Sequence, residues 1–256
     1  MMIRLNIMGF KGGSGKSTIA YYLALYLSDH YNVALVDKTY SGTISKIFNI
    51  NNDIFSFLKG KNQPFYMIKG NLRVINMSFP IDHSIENINF DSFKYLYSKV
   101  FENTDITIVD TSSLPHDFAT ELELKAFMES FRNFTLNSIL VLSNDELPLK
   151  KYLNYTALLN ELAKHYAEDI LGFVLPKDTE FLRIWAIVIN KVLKDQETKI
   201  SALLGNDEIL IKPARFIIPF YPSLIQKHFK DVNPPDEILK LAIYINDLIR
   251  EPKSIL

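Results

Sequence analysis

The 256 residues are 48% hydrophobic and 22% charged, which suits one globular domain, 1–256, large enough to bury a full core. With 28 basic against 29 acidic side chains, the net charge of −1 gives no overall pull toward nucleic acid or an anionic membrane. The sequence has no cysteine, which excludes disulfides and thiolate-held metals, and no apolar run approaches the length of a membrane span. The chain enters its first strand almost at once, leaving no room for a signal peptide, so a cytoplasmic location is expected.

Ile3–Met8 reads as a buried strand, and Ile19, Leu23 and Leu27 then recur at helical spacing. Between them lies Lys11-Gly12-Gly13-Ser14-Gly15-Lys16-Ser17-Thr18. Strand, glycine-rich turn and helix make the context that a phosphate-binding loop needs. Glycines let consecutive N–H groups curl around one concavity, and the helix start adds the positive end of its dipole. Lys16 would reach the β- and γ-phosphates and the Ser17 hydroxyl would ligate Mg²⁺. An accidental glycine-rich turn would not place all three elements in order.

Further strands are expected at Val33–Val36, Leu72–Asn76, Ile106–Val109, Ser138–Leu142, Ile184–Ile189 and Arg215–Ile218. They alternate with helical patterns, among them a short helix over Asp53 to Gly60 and a stripe of Phe93, Leu96, Tyr97 and Val100. This order implies an α/β fold with a single doubly wound, mostly parallel sheet and helices on both faces, so ligands should bind off the carboxyl ends of the strands.

Those ends carry the candidate residues. Asp37 closes the second strand before a turn with Gly42; it could hold a metal-bound water or simply make the turn. Asp110 ends a buried strand, the form in which a carboxylate holds Mg²⁺ through water; a capping role is its bland alternative. Asn144, Asp145 and Pro148 suit a helix start, with apolar residues from Tyr152 to Tyr166 continuing it, and Lys150 and Lys151 suit a solvated face. Asn190 follows the next strand as either a base contact or a turn residue. A guanine site would want an aspartate three residues later, and Leu193 stands there, so GTP is disfavoured. Pro219, Phe220 and Tyr221 follow the last strand. The final helix, from Pro235 to about Arg250, has an apolar face of Ile238, Leu241, Ala242, Ile245, Leu248 and Ile249. Its polar face is mixed in sign, which favours docking on the sheet over lying on a membrane. The five histidines are scattered.

The run from Lys11 to Thr18 resembles the deviant Walker A loop of the ParA/MinD superfamily of ATPases, nearer the ParA branch than the MinD branch. The resemblance implies a P-loop ATPase that binds Mg-ATP as cofactor and forms an ATP-dependent homodimer. Lys11 would be the signature lysine that touches the partner's nucleotide. Lys11, Lys16 and Asp37 would be the catalytic residues. Gly12 to Thr18 would bind phosphates, Asn190 would contact adenine, and Pro219 with Phe220 or Tyr221 would line the base and ribose. Asp37 and Gly42 match the family's Asp-x-Asp switch, but Thr39 replaces the second aspartate, and a hydroxyl is no base at neutral pH. Hydrolysis should therefore be slow or conditional. The family's proline two residues past Asp110 is also missing, since Thr111-Ser112-Ser113 follow and Pro115 comes later.

The implied process is plasmid or chromosome segregation, with non-specific DNA and a ParB-like activator protein as partners and no membrane. A MinD-like positioning ATPase acting on a protein partner or membrane is the alternative. Lys11 weighs against a metabolic P-loop synthetase, and the lack of cysteine removes the family's cluster carriers and thiol-dependent pumps.

Overall fold

The computed structural model describes residues 2–9, 11–78, 88–111, 118–131, 136–144, 182–196, 213–226 and 229–251, with single residues 164, 168, 172, 198 and 200 between them. Among these, the chain runs β1 (Ile3–Met8), α1 (Lys16–Ser28), β2 (Val33–Asp37), α2 (Thr43–Ile47), α3 (Ile54–Leu58), β3 (Tyr66–Lys69), β4 (Leu72–Asn76), α4 (Phe90–Val100) and β5 (Ile106–Asp110). It continues with α5 (Phe118–Phe131), β6 (Leu136–Ser143), β7 (Leu182–Val192), β8 (Ala214–Pro219), α6 (Ser223–Gln226) and α7 (Asp236–Arg250).

The strands form one eight-stranded sheet in the order β3-β4-β2-β5-β1-β6-β7-β8, parallel except for β3, which pairs antiparallel with β4. This is the mostly parallel sheet expected from the sequence. Side chains alternate across it. Leu5, Ile7, Leu35 and Ile108 join α1 and α7 in one core, while Ala34, Val36 and Val109 join α4 and α5 in another on the opposite face. Because both faces are covered, β2, β5 and β6 are buried at every position.

The helical stripe of α1 is fully buried at Ile19, Leu23 and Leu27. Helix α7 lays Ile238, Leu241, Ala242 and Ile245 into the same core, so its apolar face is packed inside the protein. The Tyr31 hydroxyl, just past α1, ties these two helices together by donating to Asn246 Oδ1 at 3.1 Å. Asp53 caps α3, accepting from the amides of Phe55 and Ser56 at 2.9 and 2.8 Å. Apart from Lys164, which is helical, the helix anticipated from Asp145 through Tyr166, the pair Lys150 and Lys151, and the segment from Ser112 to Pro115 lie outside the described residues.

Candidate nucleotide-binding site

Every parallel strand delivers its carboxyl end to the same edge, so β1, β2, β5, β7 and β8 meet there. A cavity of about 440 Å³ opens at that edge. Gly12 to Thr18 line one wall. Thr39, Tyr40, Ser41 and Thr43 from the loop after β2 line a second, and Asn190, Lys191, Pro219, Phe220 and Tyr221 line a third. Ile19, Leu224, Phe229 and Ile238 give it an apolar end. All the residues put forward for nucleotide contact border this cavity except Lys11, which stands exposed beside the loop.

The loop's shape depends on two glycines. Gly15 caps α1 at φ 97°, and a Cβ there would lie 2.0 Å from Asn190 Nδ2. Gly9, not singled out from the sequence, passes so close to β6 that a Cβ would meet the Val141 carbonyl oxygen at 2.6 Å. The Lys16 ammonium bridges the loop, donating to the Lys11 carbonyl at 3.2 Å. The buried Ser14 hydroxyl has no hydrogen-bond partner.

Asp37 and Asp110 are register partners on β2 and β5, both fully buried below the cavity, yet their surroundings differ. Asp37 Oδ1 accepts from the Thr39 amide and hydroxyl at 3.1 and 2.6 Å, and its Oδ2 accepts from the Ser45 amide and hydroxyl at 2.8 and 2.9 Å. In this arrangement the carboxylate holds the loop and the start of α2 in place, rather than presenting a lone pair to water. Neither oxygen of Asp110 has a partner of ordinary hydrogen-bond geometry. Burial pushes Asp110 up to about 8; the nearby Ser17 hydroxyl opposes this, Asp37 adds to it, and Lys16 opposes it.

A buried carboxylate beside a serine hydroxyl is a donor set for a hard cation, and the adjacent lysine suits the phosphate oxygens that would share that cation. The residues present therefore fit Mg²⁺ carried on a nucleotide, with Ser17 and Asp110 as its protein contacts. Thr39, where the related switch has an aspartate, gives its hydroxyl to Asp37. No described residue supplies a carboxylate at that position.

Asn190 sits against the loop itself. Its Nδ2 donates to the Ser14 carbonyl at 2.7 Å, and its Oδ1 accepts from the Lys191 amide at 2.9 Å. The Tyr221 hydroxyl donates to Glu237 at 2.6 Å; that hydrogen bond, together with burial, pushes the phenol up to about 12. Phe220 is 38% exposed at the cavity mouth. Asn144, read as a helix cap, donates its side-chain amide to Gln196.

A buried charge network under the site escaped the sequence reading. Arg4 on β1 pairs with Glu123 on α5 through both terminal guanidinium nitrogens, the second contact at 2.6 Å. Lys38, next to Asp37, reaches the same carboxylate at 3.2 Å, and the Tyr97 hydroxyl donates to it at 2.6 Å. Burial alone would raise Glu123, but Arg4, Lys38 and these hydrogen bonds outweigh it and hold the carboxyl at about 2. A charge inside a strand as apolar as Ile3–Met8 was the available signal, since buried charges are almost always paired.

A glycine-rich cradle at the tip of the first helix, facing an unpaired aspartate on a neighbouring strand of a mostly parallel sheet, defines a P-loop nucleotide-binding fold. The sequence profile described as the CobQ/CobB/MinD/ParA nucleotide binding domain matches residues 5–251, and the chain belongs to that family. Comparison with curated protein sequences found no match. Solved structures share the fold. A candidate plasmid partition protein of Borrelia burgdorferi B31, bound to AMPPNP, is 17% identical with a TM-score of 0.61, covering 98% of this chain and 100% of its own. The septum site-determining protein MinD of Pyrococcus horikoshii, complexed with Mg-ADP, is 15% identical with a TM-score of 0.61, covering 100% of this chain and 98% of its own. Cobyrinic acid a,c-diamide synthase of Mycobacterium smegmatis, with ADP and magnesium, is 12% identical with a TM-score of 0.63, covering 99% of this chain and 97% of its own.

Proposed function

We propose that this protein is a ParA-like ATPase that binds Mg-ATP, dimerises when it does so, and serves in the segregation of plasmid or chromosomal DNA. The observation that carries this reading is the loop itself: Lys11 exposed at its start, Lys16 inside it, and the orphaned carboxylate of Asp110 opposite. Lys16 and the loop amides hold the phosphates, Ser17 and Asp110 hold Mg²⁺, and Lys11 reaches the nucleotide of the second subunit. The apolar end of the cavity, with Pro219, Phe220 and Tyr221 beside it, suits a purine and its ribose. Turnover is slow, because Thr39 offers no base and its hydroxyl is committed to Asp37.

Sedimentation of the wild type and Lys11→Ala with and without Mg-ATP tests this reading. The wild type dimerises with Mg-ATP, whereas Lys11→Ala binds ATP with similar affinity and stays monomeric. A wild type that binds no ATP would overturn the assignment, and a variant that still dimerises would remove Lys11 from the interface.

One observation favours a second output. The net charge of −1 offers no surplus of cations for the salt-dependent grip on DNA that a segregation ATPase needs, which points to a protein partner and a positioning role. Pelleting with DNA, in the presence and absence of Mg-ATP, separates the two outputs.

A further inference from the structure

We propose that Asn190 and Lys191 form a clamp that fixes the peptide orientations of the phosphate loop, so that this pair governs affinity for the triphosphate rather than choice of base. The inference rests on the nucleotide-binding reading above and assigns a positioning role at that site. Two loop carbonyls are taken from the β7 side: the Ser14 carbonyl by Asn190 Nδ2 at 2.7 Å, and the Gly13 carbonyl by the Lys191 ammonium.

Each of these carbonyls shares a peptide with an amide of the cradle. Gly13 C=O is joined to Ser14 N–H, and Ser14 C=O to Gly15 N–H. Flipping either peptide replaces an inward donor with an inward lone pair, which repels an anion. Gly13 and Gly15, both at positive φ, make such flips easy. Carbonyls held from the β7 side keep the donors aimed at the anion before it arrives, which spares the cost of ordering them on binding.

The backbone at the end of β7 is bent to make this contact. The β7–β8 register shifts between Asn190 and Val192, so Lys191 is the residue of a bulge that re-aims its side chain. Lys191 has φ 62°, and the other described non-glycine residues at positive φ are Asn49 and Asn103. Asparagine tolerates that region; lysine has no such advantage. Asn190 Oδ1 braces the bulge by accepting from the Lys191 amide, so the two halves of the clamp are one unit.

The test measures binding of ATP, GTP and base-free tripolyphosphate, with Mg²⁺, to the wild type, Asn190→Ala and Lys191→Gly at low and high salt. Asn190→Ala should weaken all three ligands by about tenfold, the effect of one lost hydrogen bond, with the ATP-to-GTP ratio unchanged. Lys191→Gly relieves the positive φ, so its Tm should hold or rise while tripolyphosphate affinity falls several-fold at both salt concentrations. Screening would erase that loss if charge alone caused it. A collapse of the ATP-to-GTP ratio with tripolyphosphate binding intact would make Asn190 a base contact and overturn the clamp, as would unchanged affinity in both variants. Should Asn190→Ala fail to fold, the Lys191→Gly result decides. A wild type that binds none of the three ligands would instead overturn the nucleotide-binding reading.

Discussion

Two groups of buried charge lie on neighbouring strands of this sheet and the helix packed beside them, and are built on opposite principles. Around Glu123, an arginine, a lysine and a tyrosine hydroxyl converge on one carboxylate and hold it at about 2. At Asp110 an equally buried carboxylate has only the nearby Ser17 hydroxyl and Lys16 to oppose its burial, and is pushed up to about 8. Fully satisfied charge is framework; a buried carboxylate short of partners at a strand's carboxyl end is instead suited to a cation held with a ligand. Asp37 belongs with the framework although it sits beside Asp110, because its four hydrogen bonds are all to its own loop and α2.

The largest effect should come from breaking the satisfied cluster. Glu123→Gln leaves Arg4 and Lys38 buried without their shared anion, which typically costs about 3–5 kcal/mol. Chemical denaturation should show that loss directly, and a cost below about 1 kcal/mol would mean that the cluster is hydrated or rearranges. Lowering the pH approaches the same state without a mutation. Because the folded carboxyl sits at about 2, below its usual 4.5, the pair's contribution is present above pH 4.5 and is lost as pH falls from there toward 2.

Asp110 should behave in the opposite sense. Its folded value is raised from 3.8 to about 8, so the metal-free protein loses stability as pH rises through that window. Asp110→Asn should therefore stabilise the nucleotide-free protein, by about 2–4 kcal/mol near neutral pH, and flatten that dependence. The same variant should lose the Mg²⁺ dependence of ATP binding. In the wild type, Mg²⁺ must displace a proton, so its affinity should climb with pH up to about 8. Thermal scans across pH, with and without Mg-ATP, read both signs; a destabilised Asp110→Asn would place this carboxylate in the framework as well.

The contrast also explains what was legible beforehand. Strands such as Val33–Asp37 and Ile106–Asp110 show in the sequence because both faces are covered and the runs are continuously apolar. The loop from Lys11 to Thr18 shows because its chemistry is local. β3 does not, since four residues on a largely exposed edge carry too little pattern. Helix α5 was missed for the opposite reason: Leu122, Leu124, Ala126, Phe127 and Met128 scatter around it, and a buried glutamate stands among them. Partnerships between distant residues were out of reach. Arg4 meets Glu123 across 119 positions and Asn190 meets Ser14 across 176, and no spacing rule joins them.

The smallest effect sharpens the boundary between the two groups. Lys38 directly follows Asp37 and its ammonium reaches Glu123, so it touches the framework while its neighbour Thr39 lines the cavity. Lys38→Met removes one cation but leaves the two-point pairing of Arg4 with Glu123, a neutral unit in itself. The large penalty for a broken buried pair comes from the uncompensated charge left behind, and here none is left. Stability should therefore change by no more than about 1 kcal/mol in either direction, and ATP affinity should stay within about twofold of the wild type. A large loss of ATP affinity at unchanged Tm would move Lys38 from the framework into the nucleotide site and shift the line between the two clusters by one residue.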